Sequence, residues 1–310
     1  MNRPIPIHPE LTAVAVKAPV PGMIADQVLP EFPVTAETFK WNEYPYAQGV
    51  SVPDTKVGRR SATQRVEFGA IERDGSTEDH ALEDSVPITD ATANSDIDPE
   101  EVAAEMVSQL VTLAREARTA RLVFNPATYL PEQVKVYGAG EGWYDPDSDV
   151  LGDFEEAKDS MIVDPNTLTI GLDGWRALRR HPQLVKAARP ASTSGEGRLT
   201  MDELKELLEI ETINVGKAQL NLAKPGQGEM IARVWDAHAS LTFTERVIKS
   251  ARVYTFAATA RLGGKIAMRE FDKNCGIQGG NIIRVGERVR ELTIARQAGW
   301  FFQNAARAPG

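Results

Sequence analysis

The first 33 residues carry seven prolines, Pro4, Pro6, Pro9, Pro19, Pro21, Pro30 and Pro33, and no other feature limits the fold of this chain so firmly. Proline blocks helix interiors and central strands, so this stretch cannot open a compact core. Yet Leu11, Val14, Val16, Val20, Ile24, Val28, Leu29 and Phe32 lie among the prolines. An extended arm this apolar must lie across something, either its own body or a neighbouring molecule.

Beyond the arm the composition is that of a globular protein. Of 310 residues, 42% are hydrophobic and 25% charged, which excludes disordered and fibrous classes. The net charge of −9 argues against a surface that wraps nucleic acid. Charge is placed unevenly: Glu72 to Glu105 holds twelve acids against one base, and Arg246 to Gly310 twelve bases against four acids. Either these surfaces meet, in the fold or between subunits, or they are solvated faces of each sign. Cys275 is the single cysteine, so no internal disulfide or cysteine metal cluster is expected. No signal peptide is legible, and no run reaches the ~18 apolar residues of a membrane helix. A soluble protein made in the cytoplasm is expected.

Phe39 to Tyr46 and Arg65 to Glu72 alternate apolar and polar residues, which predicts two strands of a hairpin. The connection, residues 47 to 64, is too long for a tight turn and is basic at its tip through Lys56, Arg59 and Arg60. Loops of this length are functional or disordered; the tip suits an acidic surface or solvent. Asp98-Pro-Glu-Glu101 is a helix start, with an N-cap, a proline at the first helical position and a capping-box glutamate. Val102, Met106, Leu110, Leu113 and Ala117 follow at helical spacing, flanked by Ala103, Val107 and Ala114. The helix is predicted to reach about Arg121, a strut of roughly 33 Å with this stripe in the core. Asn166 to Val185 reads as a strand, a turn with Gly171 and Gly174, and a helix carrying Trp175, Leu178, Leu184 and Val185. Thr200 caps a helix over 202–208, with Glu203 three residues on. Ile210–Val215, Met230–Trp235 and Leu241–Phe243 read as strands. Arg252–Asp272 reads as one long strand or two joined at Gly263-Gly264, and Arg290–Ala305 as a closing strand pair with its turn at Gly299.

Motifs of chemistry are weak. Strand, glycine turn and helix at 166–185 is one way to hold phosphate. The four histidines, His8, His80, His181 and His238, are scattered, without zinc spacing; His181 is placed at the end of a helix, where an imidazole is favourable. Asp145, Asp147, Asp149, Asp153 and Glu156 match calcium-loop positions, but Val150 replaces the required glycine, so a surface turn built on Asx side chains is expected instead. "GAGEG", residues 138–142, lacks dinucleotide spacing. No catalytic, cofactor-binding or metal residue is proposed, and no enzyme is expected.

The order of parts is more informative. Arm, long hairpin, acidic segment, long helix, strand–helix body and terminal strands together resemble the major capsid proteins of tailed double-stranded DNA bacteriophages. The phrases that carry the resemblance are "MIADQVLPEFPV" (23–34), "RVEFGAIERDGSTEDHALEDSVP" (65–87), "NTLTIGLDGWRALRRHPQLV" (166–185) and "GERVRELTIARQAGWFFQNA" (286–305). The resemblance implies an α+β chain of Hong Kong 97-like fold. Its parts would be an N-terminal arm (1–37), an extended β-hairpin loop (38–88) and a peripheral domain with a long spine helix (89–140). An axial domain (141–250) would follow, then returning strands of the peripheral domain and terminal axial strands (251–310). Gly171 and Gly174 would then serve a turn, and Trp175, Leu178 and Leu184 a core.

The function so implied is structural: hexamers and pentamers closing an icosahedral head around double-stranded DNA, which is enclosed without sequence-specific binding. Lys56, Arg59, Arg60, Trp41, Tyr44 and Phe68 of the loop, and Ile24, Val28, Leu29 and Phe32 of the arm, are the candidate contacts between subunits. Implied partners are further copies of the chain, a scaffold, a portal and possible decoration proteins, with no membrane and no cofactor; assembly would occur in the bacterial cytoplasm, and the product would be the virion. The arm phrase begins near Met1, which implies a separate scaffold or none, and no crosslinking pair is predicted. An encapsulin-type compartment shell shares the fold and is the alternative. A soluble α/β enzyme with a ligand near Gly171 is the remaining one.

Overall fold

The computed structural model describes residues 10–11, 22–43, 51–63, 65–67, 69, 71–91, 98–138, 140–189, 195–224, 226–245 and 254–307. The arm is not featureless. A four-residue helix α1 (Ala25–Val28) leads into strand β1 (Glu31–Val34). The hairpin follows as β2 (Thr38–Glu43) and β3 (Ile71–Ser76), antiparallel, with Phe39 opposite Gly75 and Trp41 opposite Arg73. The return strand thus starts about where the alternation of 65–72 ends. Gly75 is where two rings close in: a Cβ there would lie 2.9 Å from both Phe39 and Trp41.

The acidic segment, read above only as charge, is the ten-residue strand β4 (Glu78–Pro87), followed by the short helix α2 (Ile88–Ala91). Helix α3 (Pro99–Val123) begins where expected, with the Asp98 carboxylate accepting from the Glu100 backbone N–H at 2.8 Å. Its apolar stripe is only partly in the core: Ala117 and the flanking Ala103 and Val107 are buried, but its large side chains are not. Val102, Met106 and Leu110 are 39%, 61% and 54% exposed, and Ala114 is exposed too. The buried face, on β4, β13 and the arm, carries Ala103, Ala104, Val107, Ser108, Val111, Arg115, Glu116, Ala117, Thr119 and Ala120. Small side chains let the helix approach the sheet closely, so size, not apolar periodicity, chose the buried face.

A short strand β5 (Val134–Val136) precedes helix α4 (Val150–Ser160), which occupies the end of the calcium-like spacing. Asp149 is its N-cap, accepting from Gly152 N–H, and Asp145 closes an Asx turn onto Asp147 N–H. Strand β6 (Thr167–Gly171) then meets α5 (Leu172–Leu178) and α6 (Pro182–Ala188). Two helices stand where one was expected. His181 does not end a helix but is the N-cap residue of α6, buried, with Nε2 within 2.9 Å of the Asp145 carbonyl oxygen and 3.2 Å of Ser148 Oγ. Gly171 sits at the strand–helix junction, where a Cβ would meet the Asp236 carbonyl oxygen at 1.9 Å, and Gly174 lies inside α5 against Ile170. Both glycines serve close packing. Helix α7 (Met201–Leu208) has the full capping box of Thr200 and Glu203; those hydrogen bonds and Arg189 lower the Glu203 carboxyl to about 2.

The remaining strands are β7 (Thr212–Gly216), β8 (Gln219–Asn221), β9 (Ile231–Arg233), β10 (Ala239–Thr242), β11 (Ala257–Leu262), β12 (Ile266–Asp272), β13 (Gly280–Thr293) and β14 (Gly299–Gln303). One sheet is built on β13. Along one edge β4 pairs from Gly280 to Val289. Along the other, β12 pairs with Gly280–Gly286 and β11 with Val289–Thr293, so β11 and β12 are one strand broken at Gly263-Gly264. The arm's β1 adds in parallel to β11. The second sheet runs β5-β14-β10-β6-β7. The last two strands, expected to pair, therefore lie in different sheets, separated by a 3₁₀ turn at Arg296–Ala298, and Gly299 opens β14.

Three apolar cores result. One fills the helix side of the second sheet, around Trp143, Phe154, Leu168, Ile170, Leu184 and Phe302. Trp143 stacks on Phe154 at 5.3 Å. A second joins the two sheets through Val123, Tyr129, Trp235, Phe256 and Phe301; Tyr129 stacks between Phe256 and Phe301. A third lies between α3 and the first sheet and includes Leu11 of the arm.

Candidate functional site

The surfaces that bear on function are built where the arm crosses α3. Arg115 and Glu116, adjacent on that helix, hold it by opposite charges. Glu116 accepts from the backbone N–H of Ile24 at 2.9 Å, of Ala25 at 2.7 Å, and from Trp235 Nε1 at 2.5 Å. The two backbone N–H groups are donors at the start of α1 without a partner inside the helix, which a carboxylate satisfies. Burial raises the Glu116 carboxyl above its ordinary value against the pull of the three donors. Arg115 pairs with Asp26 at 2.5 Å, Glu31 at 2.9 Å and Glu287 at 3.3 Å. Arg261 of β11 completes the group, reaching Glu31 and Glu287.

Ile24, Val28 and Leu29 are therefore buried against the chain's own body, beside Ala120, Val123 and Trp235. Within one subunit these three side chains are covered by its own body. The side chains fill the gap between the sheets, and the proline-bounded arm closes it. Phe32 is half-buried and meets Phe39 edge-on at 6.1 Å; Phe39 lies 5.8 Å from Trp41. Phe32 and Trp41 thus stand at the root of the hairpin. Lys56, Arg59 and Arg60 stand at its far end, and residues 51–63 are all exposed. Two turns shape this tip: Asp54 accepts from Lys56 N–H, and Gly58 from Ser61 N–H. Tyr44 and Phe68 lie outside the described residues.

The acidic and basic segments meet inside the fold, in register across β4 and β13. Arg284 pairs with Glu83 at 2.6 Å and Arg288 with Asp79 at 3.0 Å, while Arg290 reaches Glu78. These are directly opposite or diagonal strand neighbours.

The strand–helix stretch borders an open cleft of about 760 Å³, with Arg176, Arg180 and Asp173 on one side and Asp236 and Arg307 on the other. Gly171 and Gly174 face packed atoms instead of this space. His238, lowered by burial, accepts from Asn304 N–H and packs on Phe124 and Phe301. Among the described residues no group of three His, Cys, Asp or Glu side chains is placed to hold a metal ion, and no helix is long and apolar enough to cross a membrane. The geometry is that of a frame with an anchored arm and a projecting loop.

No family model matches the sequence. The chain is 42% identical over 308 residues to the major capsid protein of Pseudomonas phage JBD67, covering 99% of each. The chain belongs to the major capsid proteins of bacteriophages. The capsid protein is also 33% identical over 123 residues to the major capsid protein of Burkholderia phage BcepMu, across 38% of this chain and 39% of that one. Among solved structures, a phage-related protein from Bordetella bronchiseptica superposes with a TM-score of 0.76 at 23% identity, over 98% of this chain and 99% of that one. The fold is Hong Kong 97-like, and the capsid reading stands over the compartment-shell alternative. The capsid protein is structural, and its place is the phage shell.

Proposed function

We propose that this capsid protein forms the hexamers and pentamers of an icosahedral head that encloses double-stranded DNA without reading its sequence. One observation carries the loop's part in this. Residues 51–63 are exposed throughout and carry Lys56, Arg59 and Arg60 between the two strands of the hairpin. A chain gains little stability from such a projection, whereas a neighbouring copy gains a contact. The tip, with Phe32 and Trp41 at the root, is the subunit-contacting surface, and Tyr44 and Phe68 are assigned to it from the sequence alone. The sheet built on β13, with α3 as its spine helix, acts as the peripheral domain, and the sheet of β5, β14, β10, β6 and β7 as the axial domain. Residues 1–37 act as the arm. A scaffold, a portal and decoration proteins are the further partners, and assembly takes place in the host cytoplasm. Quasi-equivalent copies repeat each contact many times, so modest pair energies suffice.

Deletion of residues 47 to 64 tests this. The expected result is a folded subunit that gives no shells by negative-stain electron microscopy. Normal shells from the deletion would remove the loop from the assembly contacts.

A further inference from the structure

Cations converge on the open cleft of about 760 Å³ beside α5. Arg176 and Arg180 stand one turn apart at the end of that helix, and both are exposed. Like charges at this spacing destabilise a helix. Arg307 faces them from the other side of the cleft, and the backbone fixes its place. Its N–H donates to the Asn304 carbonyl, its own carbonyl accepts from Gly140 N–H, and Ala306 N–H donates to the Ala237 carbonyl. Asn304 enters this turn at φ 59°, a left-handed conformation that costs a non-glycine residue free energy. The two acids of the cleft do not match the three arginines. Asp173 is held at 2.8 Å by Arg233, which lies outside the lining, and is 3.6 Å from Arg176. Asp236 accepts from Ala237 N–H at 2.8 Å. Among the described residues, neither Arg180 nor Arg307 has a carboxylate partner. Apolar wall completes the cleft, with Tyr144 half exposed beside Pro146, Pro182 and Ala177.

We propose that this cleft binds a nucleoside polyphosphate, with its phosphates on Arg176, Arg180 and Arg307 and its base on Tyr144. Guanidinium forks match phosphate oxygens in pairs, so one phosphate chain relieves the repulsion among three arginines. The volume has room for a body as well as a charge, and a flat base gains by stacking on an exposed aromatic ring. Duplex DNA fits less well, because its phosphates call for an extended basic stripe, whereas these arginines enclose a hollow. The inference is independent of the loop's part in assembly.

The test titrates the unassembled full-length subunit with ATP, inorganic triphosphate and adenosine by calorimetry. Saturable ATP binding, weaker triphosphate binding and no detectable adenosine binding are expected. Arg180→Gln and Arg307→Gln should each weaken ATP binding about tenfold, and Arg121→Gln, on an exposed part of α3, should leave it unchanged. Tyr144→Ala should weaken ATP and leave triphosphate unaffected. The unmodified chain decides the matter if a variant does not fold: ATP should slow hydrogen exchange at residues 142–146 and 304–307. Absence of saturable ATP binding, ATP binding indifferent to Arg180 and Arg307, or protection confined to other segments overturns the inference. Triphosphate binding as tightly as ATP, with no effect of Tyr144→Ala, overturns the assignment of the nucleoside. A DNA duplex that displaces ATP through the same arginines overturns the small-molecule assignment.

Discussion

Replacing Glu116 by glutamine changes one atom of a buried carboxylate, and the structure says what that atom does. Oε1 accepts from Trp235 Nε1 at 2.5 Å, Oε2 accepts from Ala25 N–H at 2.7 Å, and the Ile24 N–H is shared between them at 2.9 and 3.0 Å. An amide keeps one oxygen, so one set of bonds survives and the other side faces donor with donor. A buried donor left unsatisfied costs about 1–3 kcal/mol, and that is the expected loss for Glu116→Gln in urea unfolding of the unassembled subunit. Glu116→Ala orphans all three donors. It also removes a charge whose burial outweighs its hydrogen bonds, so its cost should be about 2–4 kcal/mol and not three full penalties. The pH dependence has a definite sign. Burial, aided by the nearby Asp26 charge, raises the Glu116 carboxyl above its ordinary 4.5. Between the ordinary and raised values the folded chain binds more protons than the unfolded one, so this group's contribution falls as pH rises through that window. Glutamine has no such slope. The penalty of Glu116→Gln relative to wild type should therefore be larger at acid pH than at neutral pH. Hydrogen exchange should show the Ala25 amide or the Trp235 indole N–H losing protection. A penalty that grows with pH, or both the Ala25 amide and the Trp235 indole N–H staying protected, refutes the reasoning.

Other perturbations separate frame from surface. Arg115→Ala leaves Glu287, whose side chain is fully buried, with Arg261 alone, and should destabilise the subunit by about 3–5 kcal/mol in the same unfolding assay. Met106→Ser, on the exposed side of α3, should change stability by no more than about 0.5 kcal/mol; a larger loss would return the stripe to the core. Gly171→Ala pushes a Cβ into the Asp236 carbonyl at 1.9 Å, and thermal denaturation should show a loss of about 3 kcal/mol or more, since backbone must move. Acid titration of α7 followed by NMR should find Glu203 ionised until pH approaches about 2; its capping contribution is present above the ordinary carboxyl value and lost as pH falls through the lowered one.

Local chemistry was legible from the sequence where one residue's geometry decides an element. Asp98 with Pro99 fixed the start of α3, Thr200 with Glu203 that of α7, and Gly263-Gly264 the break between β11 and β12. Strand β4 was not legible, because its pattern is mostly exposed and its pairing is written in charge: Glu78, Asp79 and Glu83 find arginines on β13, some 200 residues on. Helix α4 was hidden behind its carboxylates, although Val150, Phe154, Ala157 and Met161 recur at helical spacing and all are buried. The side of α3 that faces the core was misread for a physical reason. A helix packed on a sheet at close range buries alanine and serine, and periodicity of large apolar residues then points outward. Of the candidate contacts, the basic tip was readable as exposed polar loop, but the arm's apolar residues carry no mark of whether their own body or a neighbour covers them.

That ambiguity in the arm is resolved at a single turn of α3. Arg115 and Glu116 between them bind α1, β1, β13 and the Trp235 indole, so the arm, the first sheet and the long helix share one charged junction. Charged groups suit this better than apolar ones. Dispersion contacts change gradually when a helix slides, whereas a carboxylate displaced from three donors loses its satisfaction abruptly. An arm held only by Ile24, Val28 and Leu29 could creep along the groove between the sheets. Held also by Glu116 at the first turn of α1, it has one seat. The mobility of the arm and the position of α3 are therefore coupled, and any rearrangement of α3 within a shell must either carry the arm with it or break the hydrogen bonds that Ile24 and Ala25 donate to Glu116.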